Sequence, residues 1–165
     1  MPVETGNFEM KAHPKDLVLK RSFKAPRKLV FECLTTPEHL VHFWPPRPYT
    51  MHDVKIDLRA GGEWTYVFRS PEGQEHAAKA LYEAVEPPSK LVIIQAVPGP
   101  GGNPFFRVRQ TITLQEKGNE TALVFEVKVL EANPGSDPFL GGMAQGTNMT
   151  LDQLVEYLDS GKGKA

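Results

Sequence analysis

Histidines are the first residues in this chain that could do chemistry, because an imidazole ring can bind a metal ion or move a proton near neutral pH. His39 and His42 are spaced so that a helix would carry both rings on one face, and His52 follows nearby in the sequence. No carboxylate or thiolate accompanies them in a known metal-binding pattern. We therefore expect a solvated or half-buried helix end beside Trp44 and no metal site.

His76 is the second candidate, because strand alternation places it on the same face as Tyr82 and, across the sheet, Tyr66 and Trp64. In an apolar cleft such a ring can orient a ligand or transfer a proton. The alternative is a histidine near the start of a strand that reaches water or a backbone carbonyl. The sequence favours the alternative, but His76 stays among the cavity candidates.

Machinery for covalent catalysis is not visible in the sequence. There is no Ser, His, Asp order, no Cys–His pair and no glycine-flanked nucleophile elbow. The sole cysteine, Cys33, follows an apolar run and predicts a buried, inert thiol in a reducing compartment. The glycine-rich stretch 98–104 lacks the ending of a phosphate-binding loop. We expect no cofactor.

Apolar side chains are more numerous on the predicted inner face than alternation alone requires. The same residue types fill cores and line pockets, so the sequence leaves both uses open. Gln95 and Gln110 lie in otherwise apolar strands and must bond each other, water or the backbone, or supply a pocket's polar contacts. The candidate cavity residues are Phe43, Trp44, Trp64, Tyr66, Phe68, His76, Tyr82, Phe106, Gln110, Phe125, Met143 and Thr147.

Hydrophobic periodicity predicts the elements that must position these side chains. A strand over 16–23 precedes two short helices, over 26–34 and 36–44. From Met51 onward, alternation punctuated by turns predicts an antiparallel meander of about five or six strands, with a glycine-dependent bulge or sharp turn at 60–62. Asp137 and Pro138 begin the longest helix, which ends before Gly161. An open sheet must bury one face, and this helix is the only element long enough to cover it.

Length and charge limit the architecture and the partners. The chain has 165 residues and a net charge of −1, which fits one domain and gives no basic surplus for nucleic acid. We expect a flexible arm over 1–15, a single domain over 16–160 and a frayed tail over 161–165. The absence of a signal-like start and of a run of about 20 apolar residues leads us to expect a cytoplasmic protein without membrane insertion.

Eight short segments occur in order along the chain, at 21–26, 30–31, 36–40, 43–44, 57–62, 82–88, 91–92 and 151–158. Together they resemble bacterial relatives of the activator of the ninety-kilodalton heat-shock chaperone ATPase, in the START-like (SRPBCC) superfamily. The resemblance spans about residues 16–160. It implies an α+β helix-grip fold, a curved antiparallel sheet wrapped around a long C-terminal helix, with a cavity between the two. It implies no single reaction, since members of the superfamily bind lipids, hormones or polyketides and some catalyse cyclisation.

Three functional hypotheses follow. The first is a non-catalytic domain that holds a small hydrophobic or aromatic molecule, with its opening near Trp44, the 98–104 loop and the start of the last helix. The second is a protein-interaction role, as a stress-related co-chaperone-like factor suggested by the family name or as a homodimer. The third, with the least support, is a cyclase or hydrolase that uses His76 and Tyr82 as acid–base groups.

Overall fold

The structure, a computed structural model, describes residues 16–98, 104–133 and 143–160, with residues 97, 98, 104 and 105 described by their backbone alone. The predicted arm over 1–15, the tail over 161–165 and the predicted helix start at Asp137 lie outside the described residues. So does most of the glycine-rich loop, residues 99–103.

Seven strands and three helices make up the described fold. Their bounds are β1 Leu17–Phe23, α1 Arg27–Thr35, α2 Pro37–Phe43, β2 Thr50–Ile56, β3 Glu63–Arg69, β4 Glu75–Glu86, β5 Lys90–Pro98, β6 Pro104–Lys117, β7 Glu120–Ala132 and α3 Met143–Asp159.

The strands form one antiparallel sheet in the order β1-β7-β6-β5-β4-β3-β2. Strands β2 to β7 form a meander in which each strand pairs with the next one along the chain. Strand β1 pairs with the last strand, β7, and Leu19 lies opposite Phe125. Register shifts interrupt β2, β4 and β6, and such bulges bend a sheet. The sheet is curved and the predicted α+β helix-grip fold is confirmed.

Alternation in the strands decides which side chains reach the core. In β3, Trp64 and Tyr66 are buried, whereas Glu63, the first residue of the strand, is exposed. In β7, Leu123, Phe125 and Val127 are buried in the same way. These are the inward faces that the sequence pattern predicts.

The turn between β2 and β3 depends on two glycines. Gly61 has φ +86°, and a Cβ on Gly62 would lie 2.0 Å from the carbonyl oxygen of Asp57, so neither position accepts a larger residue without a backbone shift. The turn docks on β4, because Gly61 N donates to Tyr82 O at 2.8 Å and Tyr82 N donates to Gly62 O at 2.9 Å. Of the bulge or sharp turn that the sequence allows at these glycines, the structure has the turn.

The helices begin close to where the prolines predict. Pro26 is the N-cap of α1 rather than its first residue, and Thr36 precedes α2 with Pro37 in the first turn. Helix α3 contacts β1 through Arg21, whose guanidinium bonds Asp152 and Asn148. None of the helices in the described ranges is long and apolar enough to cross a membrane.

Candidate functional site

A cavity of about 220 Å³ lies between the concave face of the sheet and the first half of α3. The side chains around it are mostly apolar or aromatic, with a few neutral polar groups. They are Trp44, Pro46, Tyr66, Phe68, Gln95, Phe106, Val108, Gln110, Phe125, Met143, Gly146, Thr147 and Thr150.

Two periodicities build the walls of this cavity. On the sheet, alternate residues of one strand face the same side, which places Phe106, Val108 and Gln110 together on β6. On α3, steps of three and four residues bring the second wall to one helix face, at positions 143, 146, 147 and 150. The cavity therefore lies where a strand period and a helix period meet.

Eight of the twelve cavity candidates line this space. They are Trp44, Tyr66, Phe68, Phe106, Gln110, Phe125, Met143 and Thr147. Whether any of them binds a ligand remains a prediction.

Three further candidates lie behind the cavity wall rather than on it. Phe43, Trp64 and Tyr82 are each 1% exposed or less and belong to the packed core. The Trp64 ring centre lies 5.1 Å from that of Trp44 and 4.9 Å from that of Tyr66, and it stacks on Tyr82 at 6.4 Å. These aromatic contacts hold the lining residues Trp44 and Tyr66 in place.

His76 is not part of the cavity. It is exposed near the start of β4, opposite Phe68, and the strand becomes buried only farther along, at Ala80 and Tyr82. The sequence predicts correctly which face of the strand carries His76. Alternation does not show, however, where along the strand that face becomes buried. His76 and Tyr82 are six residues apart, about 20 Å in a strand, so they cannot act together on one group.

Tyr66 supplies a neutral hydroxyl to the cavity wall. Its O–H donates to Gln95 Oε1 at 3.2 Å. Burial raises the pKa of Tyr66 to about 12, an effect that hydrogen bonding with Gln95 and Trp44 only partly opposes. The hydroxyl is protonated at neutral pH and can serve as a neutral hydrogen-bonding group.

Gln110 is the unusual polar group of the cavity. Its residue is 9% exposed, and its Oε1 is buried with no hydrogen-bond partner among the described residues. Within the described part of the chain, no Asp, Glu, Lys, Arg or His side chain lines the cavity. The site can thus enclose apolar surface and offer neutral hydrogen bonds.

A polar clamp fixes the end of α2 against α3, next to the cavity. Gln153 Nε2 donates to Phe43 O at 2.7 Å and to Pro45 O at 2.9 Å, while Gln153 Oε1 accepts from Arg47 N at 3.1 Å. Thr150 Oγ1 donates to Trp44 O at 2.9 Å. These bonds satisfy the backbone groups at the end of α2 and so hold Trp44 at the cavity.

His39 and His42 serve the joint between α2 and α3. His39 Nδ1 lies 2.6 Å from Tyr157 Oη, and the His42 ring stacks on Tyr157 with centres 5.6 Å apart. His52 lies elsewhere, on β2, where its ring nitrogens contact Asp53 and Glu75. In the described ranges, no group of three or more His, Cys, Asp or Glu side chains could hold a metal ion.

Five lining residues are not among the twelve cavity candidates from the sequence, although simple signals for most were available. Val108 lies between two candidates of the same strand parity, and Gln95 was a possible source of polar contacts in a pocket but was not included in the candidate set. Gly146 and Thr150 share a helix face with Met143 and Thr147 by spacing. Pro46 gave no signal, because its position depends on the clamp at the end of α2.

The predicted buried thiol is confirmed. Cys33 is 0% exposed, and burial, with a smaller contribution from the Glu32 charge, raises its pKa to about 12. The thiol is therefore protonated and unreactive in the folded protein near neutral pH.

Comparison with known proteins agrees with this architecture. A search of curated proteins found no match. Among solved structures, the chain is similar to a protein from Nitrosomonas europaea, with 27% identity, a TM-score of 0.75 and coverage of 91% of this chain and 98% of that one. It is similar in fold to a protein from Arthrobacter aurescens, with 17% identity, a TM-score of 0.80 and coverage of 92% and 90%.

A third similar fold is that of the AHSA1 protein from Silicibacter pomeroyi, with 18% identity, a TM-score of 0.73 and coverage of 87% of this chain and 97% of that one. The sequence model of one family matches residues 24–159, which is most of the chain. By that match, the chain belongs to the Activator of Hsp90 ATPase homolog 1-like protein family.

Proposed function

We propose that this protein binds a small hydrophobic molecule, aromatic ligands included, in the cavity between the sheet and α3. The observation that carries the proposal is the combination of aromatic walls with small residues on the helix side. A Cβ built on Gly146 would meet nothing within 4 Å, so α3 leaves space where a larger residue would close the cavity.

The size of the cavity limits the ligand. An apolar cavity of about 150 Å³ is large enough for benzene, and drug-sized ligands occupy about 300–1,000 Å³. The cavity measures about 220 Å³. We therefore expect a molecule with one or two rings, or a short branched chain.

The chemistry of the walls supports binding rather than turnover. Burial raises the pKa values of Tyr66 in the wall and of Tyr82 behind it, so neither hydroxyl is ionised to act as a base at neutral pH. His76, the acid–base candidate, is exposed and is not among the residues that line the cavity. A cytoplasmic location is part of the proposal, supported by the free thiol of Cys33.

A thermal-shift screen with small aromatic metabolites and short lipids tests the proposal. A ligand at 100 times its dissociation constant adds about 2.7 kcal/mol to the free energy of unfolding, which gives a clear rise in Tm. The decisive variant is Gly146→Phe, which places a ring in the cavity. The matched control is Gln145→Phe, which adds the same ring to an exposed position of the same helix.

We expect one chemical class to raise the Tm of the wild type and of Gln145→Phe, but not that of Gly146→Phe. A shift that survives in Gly146→Phe would place the ligand elsewhere. No shift from a broad set of small apolar molecules would overturn the proposal.

A partner-protein role is the second candidate, and the family name is what favours it. Against it, the two most exposed large apolar residues of the described ranges lie far apart. Val18 on β1 and Leu81 on β4 are separated by three strands, roughly 19 Å. Scattered exposed residues of this kind do not make a docking patch. A rise in the ATPase rate of a purified Hsp90 chaperone, or a stable homodimer in light scattering, would favour the second candidate.

A further inference from the structure

On the basis of the proposed binding function, we infer that the ligand is uncharged and carries an N–H or O–H group that donates a hydrogen bond to Oε1 of Gln110. The inference deepens the proposed function by naming the chemical class of the ligand and the residue that recognises it.

Among the described residues that line the cavity, Gln110 has a buried side-chain oxygen that is left without a partner. It is 9% exposed and lines the cavity, and its Oε1 has no donor among the described residues. A buried carbonyl oxygen without a donor loses its hydrogen bonds to water on folding and gains none in return. A ligand that brings a donor restores that bond, and the broad torsion of the terminal amide lets the oxygen turn toward it.

The other polar groups on the sheet side are already engaged. Gln95 Oε1 accepts from the Tyr66 hydroxyl at 3.2 Å, and that hydroxyl also interacts with the Trp44 side chain. On the helix side, the Thr150 hydroxyl donates to Trp44 O at 2.9 Å. Gln110 is therefore the lining amide oxygen that is available for recognition.

The residues that line the cavity also indicate the charge of the ligand. No charged side chain of the described residues lines the cavity, so an ionised ligand would lose its hydration without gaining a counter-charge. A neutral molecule with one polar end avoids this cost. Its apolar part would contact the aromatic side chains, including Phe106 and Phe125.

Five bicyclic probes separate the features of the ligand. Indole carries a donor and N-methylindole has that donor blocked, while naphthalene has no hydrogen-bonding group and quinoline carries only an acceptor. Naphthoate adds a negative charge. Dissociation constants would be measured by calorimetry or competition for the wild type, for Gln110→Met, and for Gln115→Met as a matched control on an exposed position of the same strand.

We expect indole to bind the wild type about tenfold more tightly than N-methylindole, the ratio that one buried hydrogen bond supplies. The ratio should fall to about one in Gln110→Met and stay unchanged in Gln115→Met. Naphthoate should bind more weakly than naphthalene. Because the ratio is first measured in the wild type, the inference can be tested even if Gln110→Met does not fold.

Three outcomes would overturn the inference while leaving the proposed function intact, since the probes would still bind. The first is equal binding of indole and N-methylindole, and the second is a ratio that persists in Gln110→Met. The third is a preference for quinoline over naphthalene that is lost in Gln110→Met, because the amide would then present its N–H. If none of the probes binds, the proposed function fails together with the inference.

Discussion

The two halves of α3 face the same sheet but pack against it differently. In the second half, Leu151, Leu154 and Leu158 are buried to 6% exposure or less and fill the space against the core. In the first half, Gly146 and Thr147 are only partly buried and border the cavity. One helix thus makes a closed core at one end and an open one at the other, and the difference lies in the size of the side chains it presents.

The polar groups differ between the halves in the same way. Beside the closed half, the amide of Gln153 makes three hydrogen bonds to backbone groups at the end of α2. Beside the open half, the oxygen of Gln110 makes none within the described residues. A satisfied amide stabilises a joint between elements, whereas an unsatisfied one in a cavity wall is available to a ligand.

The largest expected effect is in the closed half. Leu154→Ala removes a side chain that is 0% exposed and should lower the free energy of unfolding by about 2–5 kcal/mol, measured by urea denaturation. Val155→Ala, at a partly buried position of the same helix, should cost clearly less. Equal costs would mean that the closed half is not packed as described.

Alkaline pH should weaken the protein on the cavity side. The folded protein holds the Tyr66 proton more tightly than the unfolded chain, so this stabilisation is complete below pH 10 and is lost as the pH rises to about 12. The loss should be on the order of 2–3 kcal/mol. Denaturation of wild type and Tyr66→Phe across this range checks it, because Cys33 and Tyr82 titrate in both proteins. Parallel pH curves would contradict the buried position of Tyr66.

Breaking the clamp should be costly as well. Gln153→Leu leaves two carbonyl oxygens and the Arg47 N–H without their partner and should lower the free energy of unfolding by about 1–3 kcal/mol. Gln145→Leu, on the exposed side of α3, is the matched control and should change stability little. A neutral Gln153→Leu would show that water replaces the clamp.

The two glutamines of the cavity should respond in opposite directions. Gln110→Met removes an unpartnered oxygen and should raise the free energy of unfolding by about 1 kcal/mol, whereas Gln95→Met takes away the acceptor of the Tyr66 hydroxyl and should lower it by a similar amount. Chemical denaturation of both variants measures this. The same sign for both would remove the distinction between them.

The smallest effect is expected at Gly146. Gly146→Ala places a methyl group in open space within a helix and should raise the free energy of unfolding by about 0.5–1 kcal/mol. The measurement is a thermal or urea transition. A loss of stability would mean that the space beside Gly146 is occupied.

Much of this architecture could be predicted from the sequence, because its causes are local. Alternation predicted the inward faces of β3 and β7, and the glycine pair indicated the sharp turn at 60–62. The inward face of Gln110 followed from the same rule. The lack of a hydrogen-bond partner for the Gln110 oxygen could not be predicted in this way, because it depends on which groups the neighbouring strand and α3 bring near it.

The rest depends on contacts between distant parts of the chain. The clamp joins Gln153 to backbone groups more than 100 residues away, and no periodicity encodes such a contact. His76 shows the same limit. The face of β4 that carries it was predicted correctly, but the point along β4 at which that face becomes buried was not. The volume of the cavity likewise reflects the distance between α3 and the sheet, which the spacing of apolar residues does not determine.

The most direct test of the cavity as a binding site is an NMR titration of the ¹⁵N-labelled protein with indole. We predict chemical-shift changes at the amides of Gly146, Thr147, Gln110 and Tyr66, with little change at Cys33 and Leu154 in the closed region. Changes confined to the outer face, for example at Val18 and Leu81, or no changes up to the solubility of indole, would contradict the account.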